Sequence, residues 1–267
     1  MNKLTTRPLV MSLFLAGAFG MLAVPAEADA FVITFGGGLK AGVTGTFVPE
    51  VSKSDTIRGS DGNSYTFAHS GLYPMGGAGG AFGLALDVRV LDMIGLETGF
   101  ALSFDNAAGW NDINDANTGA TLTRVNSEQS TTAYHIPLLL RANVPGAMIR
   151  PFFGIGLEFV IQSTSTLEYS ETNDRSTLAA ELNARNSITA SNYTLLLLST
   201  GMELKFGPLR VPIEVRAGYN LGFDERATYH PGTAGAGGTP ERLEYNGAYQ
   251  WNFGISTGFL YDFDLLL

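Results

Sequence analysis

The last stretch of the chain, Gly247 to Leu267, carries two interleaved residue sets of opposite character. Every second position from Tyr249 gives Tyr249, Trp251, Phe253, Ile255, Thr257, Phe259, Tyr261, Phe263, Leu265 and Leu267, all apolar or aromatic except Thr257. The alternate set, Gln250, Asn252, Gly254, Ser256, Gly258, Leu260, Asp262 and Asp264, is mostly small or polar. Successive side chains of a β-strand point to opposite faces, so this is a long strand with one greasy face and one small polar face. Two settings suit such a strand. In a water-soluble sheet the greasy face is the core and the polar face meets solvent. In a transmembrane barrel the sense inverts, with the greasy face on lipid and the polar face on the lumen.

The alternation recurs upstream. It marks strands at about Phe31–Val48, Gly79–Leu91, Ile94–Phe104, Thr131–Val144, Phe152–Gln162, Leu196–Phe206 and Leu209–Leu221, making eight with the last. Long polar stretches, Pro49–Pro74, Asn106–Gln129, Ser163–Ala190 and Asp224–Asn246, alternate with short turns at Asp92-Met93, Pro145-Gly146-Ala147 and Gly207-Pro208. A short helix is expected near Ser176 to Arg185, where Leu178 and Leu182 fall one helical turn apart. The rhythm of long and short connections predicts an all-β fold. It is an eight-stranded antiparallel up-and-down transmembrane β-barrel with four long external loops and three short periplasmic turns.

Charge placement sharpens that expectation. Lys40, Asp87, Arg89, Glu97, Arg141, Glu158, Glu203, Lys205, Glu214 and Arg216 all fall on the small phase, as do Arg150, Arg210, Asp262 and Asp264. Eight strands leave a lumen only just wide enough for side chains. Charges in so narrow a space need partners, so the first ten are expected to form a salt-bridged plug rather than an ion pathway. Arg89 and Glu97, equidistant from Met93, are expected to face each other across a hairpin. Aromatics gather at both ends of the greasy phase. Phe47, Phe104, Tyr134, Tyr219, Tyr249 and Trp251 lie toward the long loops, and Phe35, Phe153, Phe206, Tyr261 and Phe263 toward the short turns. Two interfacial girdles are what a barrel meeting both membrane surfaces requires.

Residues 1–30 read as a secretory signal peptide, with Lys3 and Arg7 ahead of the apolar Leu9–Val24 and a small-residue cleavage site at Ala28-Asp29-Ala30. Residues 31–267 then form the barrel domain. No later apolar run approaches the roughly 20 residues of a spanning helix. The chain has no cysteine, which excludes disulfides and thiolate metal sites. A net charge of −9 argues against nucleic acid as a partner. Asp61-Gly62-Asn63 is too short for a calcium loop, and no helix with Lys-Ser/Thr follows Gly76–Gly83 to make a phosphate site. No metal or cofactor is expected. His69 and His230 fall in loops and His135 in the lumen, and no Ser-His pair has a matching spacing on adjacent lipid-accessible strands. The chain therefore reads as non-enzymatic.

Tyr134-His135-Ile136-Pro137-Leu138-Leu139-Leu140, Gly95-Leu96-Glu97-Thr98-Gly99 and Pro151-Phe152-Phe153-Gly154-Ile155-Gly156-Leu157 resemble strands of the small eight-stranded outer-membrane barrels, porin-like and OmpX- or OmpW-like proteins. That resemblance implies export to a bacterial outer membrane, contact with its lipid and lipopolysaccharide, and assembly by the barrel-assembly machinery acting on the C-terminal strand. Such proteins end in Phe or Trp; this chain ends in Leu265-Leu266-Leu267, with Tyr261 and Phe263 keeping the spacing. The expected role is a structural, surface-interaction scaffold presenting polar external loops. The alternative is a narrow conduit for small solutes, drawing on Leu139, Leu195, Leu197 and Leu260. A lipid-modifying enzyme comes third.

Overall fold

The computed structural model describes residues 32–49, 55–58, 64–67, 75–115, 117–144, 146, 148–171, 176–223, 227–230 and 242–266. The expected signal peptide lies outside these residues, as does much of the first and fourth long stretches. In chain order the elements are β1 (Val32–Val48), β2 (Asp55–Arg58), β3 (Ser64–Phe67), β4 (Met75–Val90), β5 (Ile94–Asp115), β6 (Thr121–Asn143) and β7 (Ile149–Glu171). Then follow α1 (Ser176–Arg185), β8 (Asn186–Thr189), β9 (Asn192–Phe206), β10 (Leu209–Asn220), β11 (Ala227–His230), β12 (Arg242–Asn246) and β13 (Trp251–Leu266).

Eight of these strands close a ring in the order β1-β4-β5-β6-β7-β9-β10-β13 and back to β1, every neighbour antiparallel. The closing ladder runs from Ile33 opposite Leu265 to Phe47 opposite Trp251, so no strand of the ring has a free edge. Among the described residues no helix is long and apolar enough to cross a membrane.

The two phases face as a membrane barrel requires. Leu39, Ile255 and Phe259 are 63%, 62% and 66% exposed, whereas Glu203, Arg210 and Glu214 are fully buried. The greasy phase is the outside. Phe47, Phe104, Tyr134, Phe153, Phe206, Tyr219, Tyr261 and Phe263 are exposed on it, and Trp251 is half-buried against Tyr219, with ring centroids 4.7 Å apart. From Phe35 to Phe47 the tilted strand climbs roughly 30 Å, close to the thickness of a hydrocarbon core. Tyr249 is a correction to the expected girdle. The chain is not extended at 247–249 and bends at Gln250, so the alternation breaks, and Tyr249 is buried against Val48, Met75, Ala107 and Tyr245.

The small phase is small for two reasons. At Gly83 a Cβ would overlap the Phe100 carbonyl oxygen, because inward-facing positions crowd as a tight ring curves. At Gly95 it would meet Arg89 Cγ at 2.5 Å, so the glycine leaves room for a long charged side chain. Proline interrupts two ladders, with Phe100 and Gly99 unpaired beside Pro137, and Gly258 and Phe259 unpaired beside Pro212. In each gap a threonine of the outer face donates its hydroxyl to the proline carbonyl: Thr98 Oγ1 to Pro137 O at 2.9 Å and Thr257 Oγ1 to Pro212 O at 2.8 Å. A hydroxyl facing hydrocarbon needs such an internal partner.

The β4–β5 turn corrects one expected pairing. Leu91 and Asp92 both take positive φ, 54° and 57°, and centre the hairpin on Asp92. Glu97 therefore faces Asp87, and Arg89 faces Gly95.

The long connections hold more regular structure than the loops expected from their polarity. β5, β6 and β7 run on past the external girdle, β3 pairs with the end of β5, and β8, β12 and β11 form a small second sheet. The helix lies where expected, at Ser176–Arg185, and packs Ala179 and Leu182 against Ile113, Val125 and Tyr169. Asn183 clamps it by donating to Tyr169 O at 2.9 Å and accepting from Tyr169 N at 2.8 Å. Burial pushes the Tyr169 phenol up to about 12. The chain thus builds a head at the long-connection end of the barrel, with its own apolar core.

Crowding distinguishes Gly83 from Gly45. Gly83→Val is expected to destabilise the barrel by about 2 kcal/mol or more in urea unfolding from lipid vesicles. At Gly45 a Cβ meets nothing nearer than 3.7 Å, and Gly45→Val is expected to change stability by less than about 0.5 kcal/mol.

Candidate functional site in the lumen

The lumen charges assemble into two tiers. In the tier nearer the short turns, Arg210 spreads its guanidinium over three strands. Its Nε donates to Asp262 at 2.6 Å, Nη1 to Glu203 at 2.8 Å and Nη2 to Asp87 at 2.6 Å. Arg89 Nη2 donates to the other oxygen of Asp262 at 2.7 Å. Lys205 and Arg150 both donate to Asp92 Oδ2, at 2.8 and 2.6 Å. In the second tier Lys40 bridges Glu97 and Glu214 at 2.6 and 2.9 Å, and Arg216 spans the same two carboxylates. Arg141 joins the tiers, donating to Glu97 from Nη1 and to Glu203 from Nη2, with its guanidinium carbon 3.8 Å from the centroid of the Phe152 ring.

Each of the ten lumen residues singled out from the sequence therefore sits inside, and nine lie in this one network. Glu158 stands above it, 4.0 Å from Arg216. Two further members, Arg210 and Asp262, share the same phase and are as deeply buried as the rest. Bidentate and tridentate contact is what desolvated guanidinium and carboxylate groups need to remain charged together.

Above the network the structure brings together a set that sequence reasoning missed. His135 Nδ1 lies 2.6 Å from Glu158 Oε1, and its Nε2 lies 2.8 Å from Ser103 Oγ. The Ser103 hydroxyl in turn donates to Asp105 Oδ2 at 2.7 Å, and Thr44 donates to the other oxygen of Asp105. The signal was diagonal: Ala101 pairs with His135, which puts Ser103 within reach on the lumen side, although the two have no matching spacing along the sequence. This resembles a Ser-His-acid arrangement, but its hydrogens run the wrong way for a nucleophile. A carboxylate only accepts, so the single serine proton belongs to Asp105 and His135 Nε2 must donate. Ser103 is also fully buried. The set is a polar brace, not an attacking group with a base.

The mouth at the long-connection end is crossed by the strap Gly247–Tyr249. Gln129 and Gln162 each donate a side-chain amide to Gly247 O at 2.7 Å, Asn220 donates to Tyr249 O at 3.0 Å, and the Tyr249 hydroxyl donates to Thr131 at 3.0 Å. Among the described residues no group of His, Asp and Glu is arranged to hold a metal ion.

No known protein family matches the chain, and neither does any curated protein. Among solved structures it is similar to the outer membrane protein OprG of Pseudomonas aeruginosa, at 16% identity over 88% of this chain and 97% of that one, TM-score 0.37. It is similar also to the outer membrane protease OmpT of Escherichia coli, at 11% identity over 91% and 99%, TM-score 0.32. The translocator domain of the autotransporter NalP of Neisseria meningitidis matches at 11% identity over 94% and 95%, TM-score 0.27. The fold rests on the chain's own closed ring.

Arg210→Met strands three buried carboxylates without their shared partner and is expected to cost about 3–5 kcal/mol of stability. Adding Asp262→Leu to it is expected to recover part of that loss. Both are read from urea midpoints of the reconstituted barrel.

Proposed function

We propose that this chain is an exported barrel of a bacterial outer membrane that holds a folded external head in place, without catalysis and without an open path through its lumen. Surrounding lipid and lipopolysaccharide contact the greasy exterior, and the barrel-assembly machinery engages β13. The observation that carries the reading is the Arg141 bridge between the two tiers of charge. With that bridge in place the ion network runs unbroken from β1 to β10 across the lumen, and the strap Gly247–Tyr249 covers the other end. An ion crossing this barrel has to displace paired charges at several levels. The head, with a core of its own, is the part that varies in chemistry from the spanning cylinder and the part that meets the surroundings.

A narrow conduit is the second reading. It draws on Leu195 and Leu197, which line a small cavity in mid-lumen, while Leu139 and Leu260 are packed shut. Enzymatic action on lipid has less behind it, because the Ser103 hydroxyl is closed off and its proton is committed to Asp105.

Planar-bilayer recording separates these readings. The purified barrel is expected to give no steady open-state current, and large persistent steps from wild-type protein would contradict the scaffold. Loss of the gene is likewise expected to leave the uptake of small solutes unchanged.

A further inference from the structure

A cavity of about 100 Å³ lies in the lumen at the level of His135, between the ion network and the strap. One wall, on β1, β4 and β5, is made of Gly42, Ala81, Gly83 and Ala101, which project almost nothing into it. Leu195 and Leu197 supply apolar surface from β9, on the far side of the ring. Two charged side chains also line it with atoms left unspent. Arg216 uses Nε and Nη2 for Glu214 and Glu97, leaving Nη1 in a long ion pair with Glu158 but with no hydrogen bond among the described residues. Glu158 uses Oε1 for His135, leaving Oε2. These two atoms stand 4.0 Å apart, too far to hydrogen-bond each other.

A donor and an acceptor held side by side, with apolar walls around them, define a ligand. We propose that this cavity binds a small neutral molecule whose polar group both accepts and donates, a primary amide or an alcohol of about four heavy atoms. Its oxygen accepts from Arg216 Nη1 and its N–H or O–H donates to Glu158 Oε2. Its alkyl part rests against Ala81, Ala101, Leu195 and Leu197. The pairing excludes ions of either sign. A carboxylate has no hydrogen for Glu158, and an ammonium has no lone pair for Arg216. Size follows from the volume, since a cavity of about 150 Å³ admits benzene and two-thirds of that space suits about four heavy atoms. So small a ligand binds weakly, with half-saturation at roughly millimolar concentration.

The test is a titration of the full barrel in lipid nanodiscs, read by the side-chain nitrogen signals of Arg216 and His135 in NMR. Acetamide is expected to shift the Arg216 Nη signals saturably, while hexanamide, acetate and methylammonium leave them in place. Ala101→Leu fills the cavity without touching the polar pair and is expected to weaken acetamide binding by at least about tenfold. Should that variant fail to fold, Leu197→Ala enlarges the space and is expected to move the preference from acetamide toward butyramide. A cavity that holds only water leaves the signals unmoved at every acetamide concentration, which overturns the proposal. So does a shift equal for acetamide and hexanamide, or one that either folded variant leaves unchanged.

Discussion

A guanidinium inside a narrow protein cylinder has almost no water to turn to, so its partners must be other side chains. Arg210 is the extreme case here, fully buried and shared among Asp87, Glu203 and Asp262. Such networks add little net stability over an apolar filling, because desolvation offsets most of the attraction, yet removing one member leaves its neighbours stranded. That asymmetry fixes much else. It keeps the inward phase at glycine wherever a long charged side chain must lie flat, as at Gly95 beneath Arg89. It leaves the outward phase free to be uniformly greasy. It also leaves the charges of both tiers paired with one another rather than with a passing ion.

The same strands behave differently once past the girdle. On β6 the outward positions run Leu140, Leu138, Ile136 and Tyr134 and then change to Thr132, Ser130, Glu128 and Asn126. The inward positions lose their charges but stay small or polar, at Thr131, Gln129, Ser127 and Thr123, with Val125 the apolar exception. Lipid is exchanged for water on the outside, and inside Val125 joins Ile113, Tyr169 and the face of α1 in a small apolar core. A single strand is thus a membrane strand at one end and a soluble one at the other. The head grows out of the barrel's own hydrogen-bonded ladders, with Asn183 and Gln129 tying the helix and the strap back to them.

What the sequence made legible was whatever depended on period two alone. Strand positions, the inward phase of Glu203 and Arg216, the outward phase of Phe253 and Phe263, and α1 all follow from local spacing. Tyr249 did not, because the extended backbone stops between it and Trp251, and phase cannot be carried across a bend. The head was hidden because the outward set turns polar there while the inward set stays mostly polar, which looks like loop. Arg89 and Glu97 were mispaired by two positions because the register depends on positive φ at Leu91 and Asp92, neither of them a glycine. The Ser103, His135 and Glu158 brace needed three strands in register, which no single-strand pattern encodes.

Because the chain has no cysteine, one introduced at a time gives a single labelling site. Nitroxides placed at Leu39, Ile255 and Phe259 in the vesicle-embedded barrel test directly which face meets lipid. The account predicts relaxation by dissolved oxygen and none by a water-soluble nickel chelate at all three. Strong relaxation by the chelate at these positions would mean that water covers the greasy face, and would contradict the membrane barrel itself.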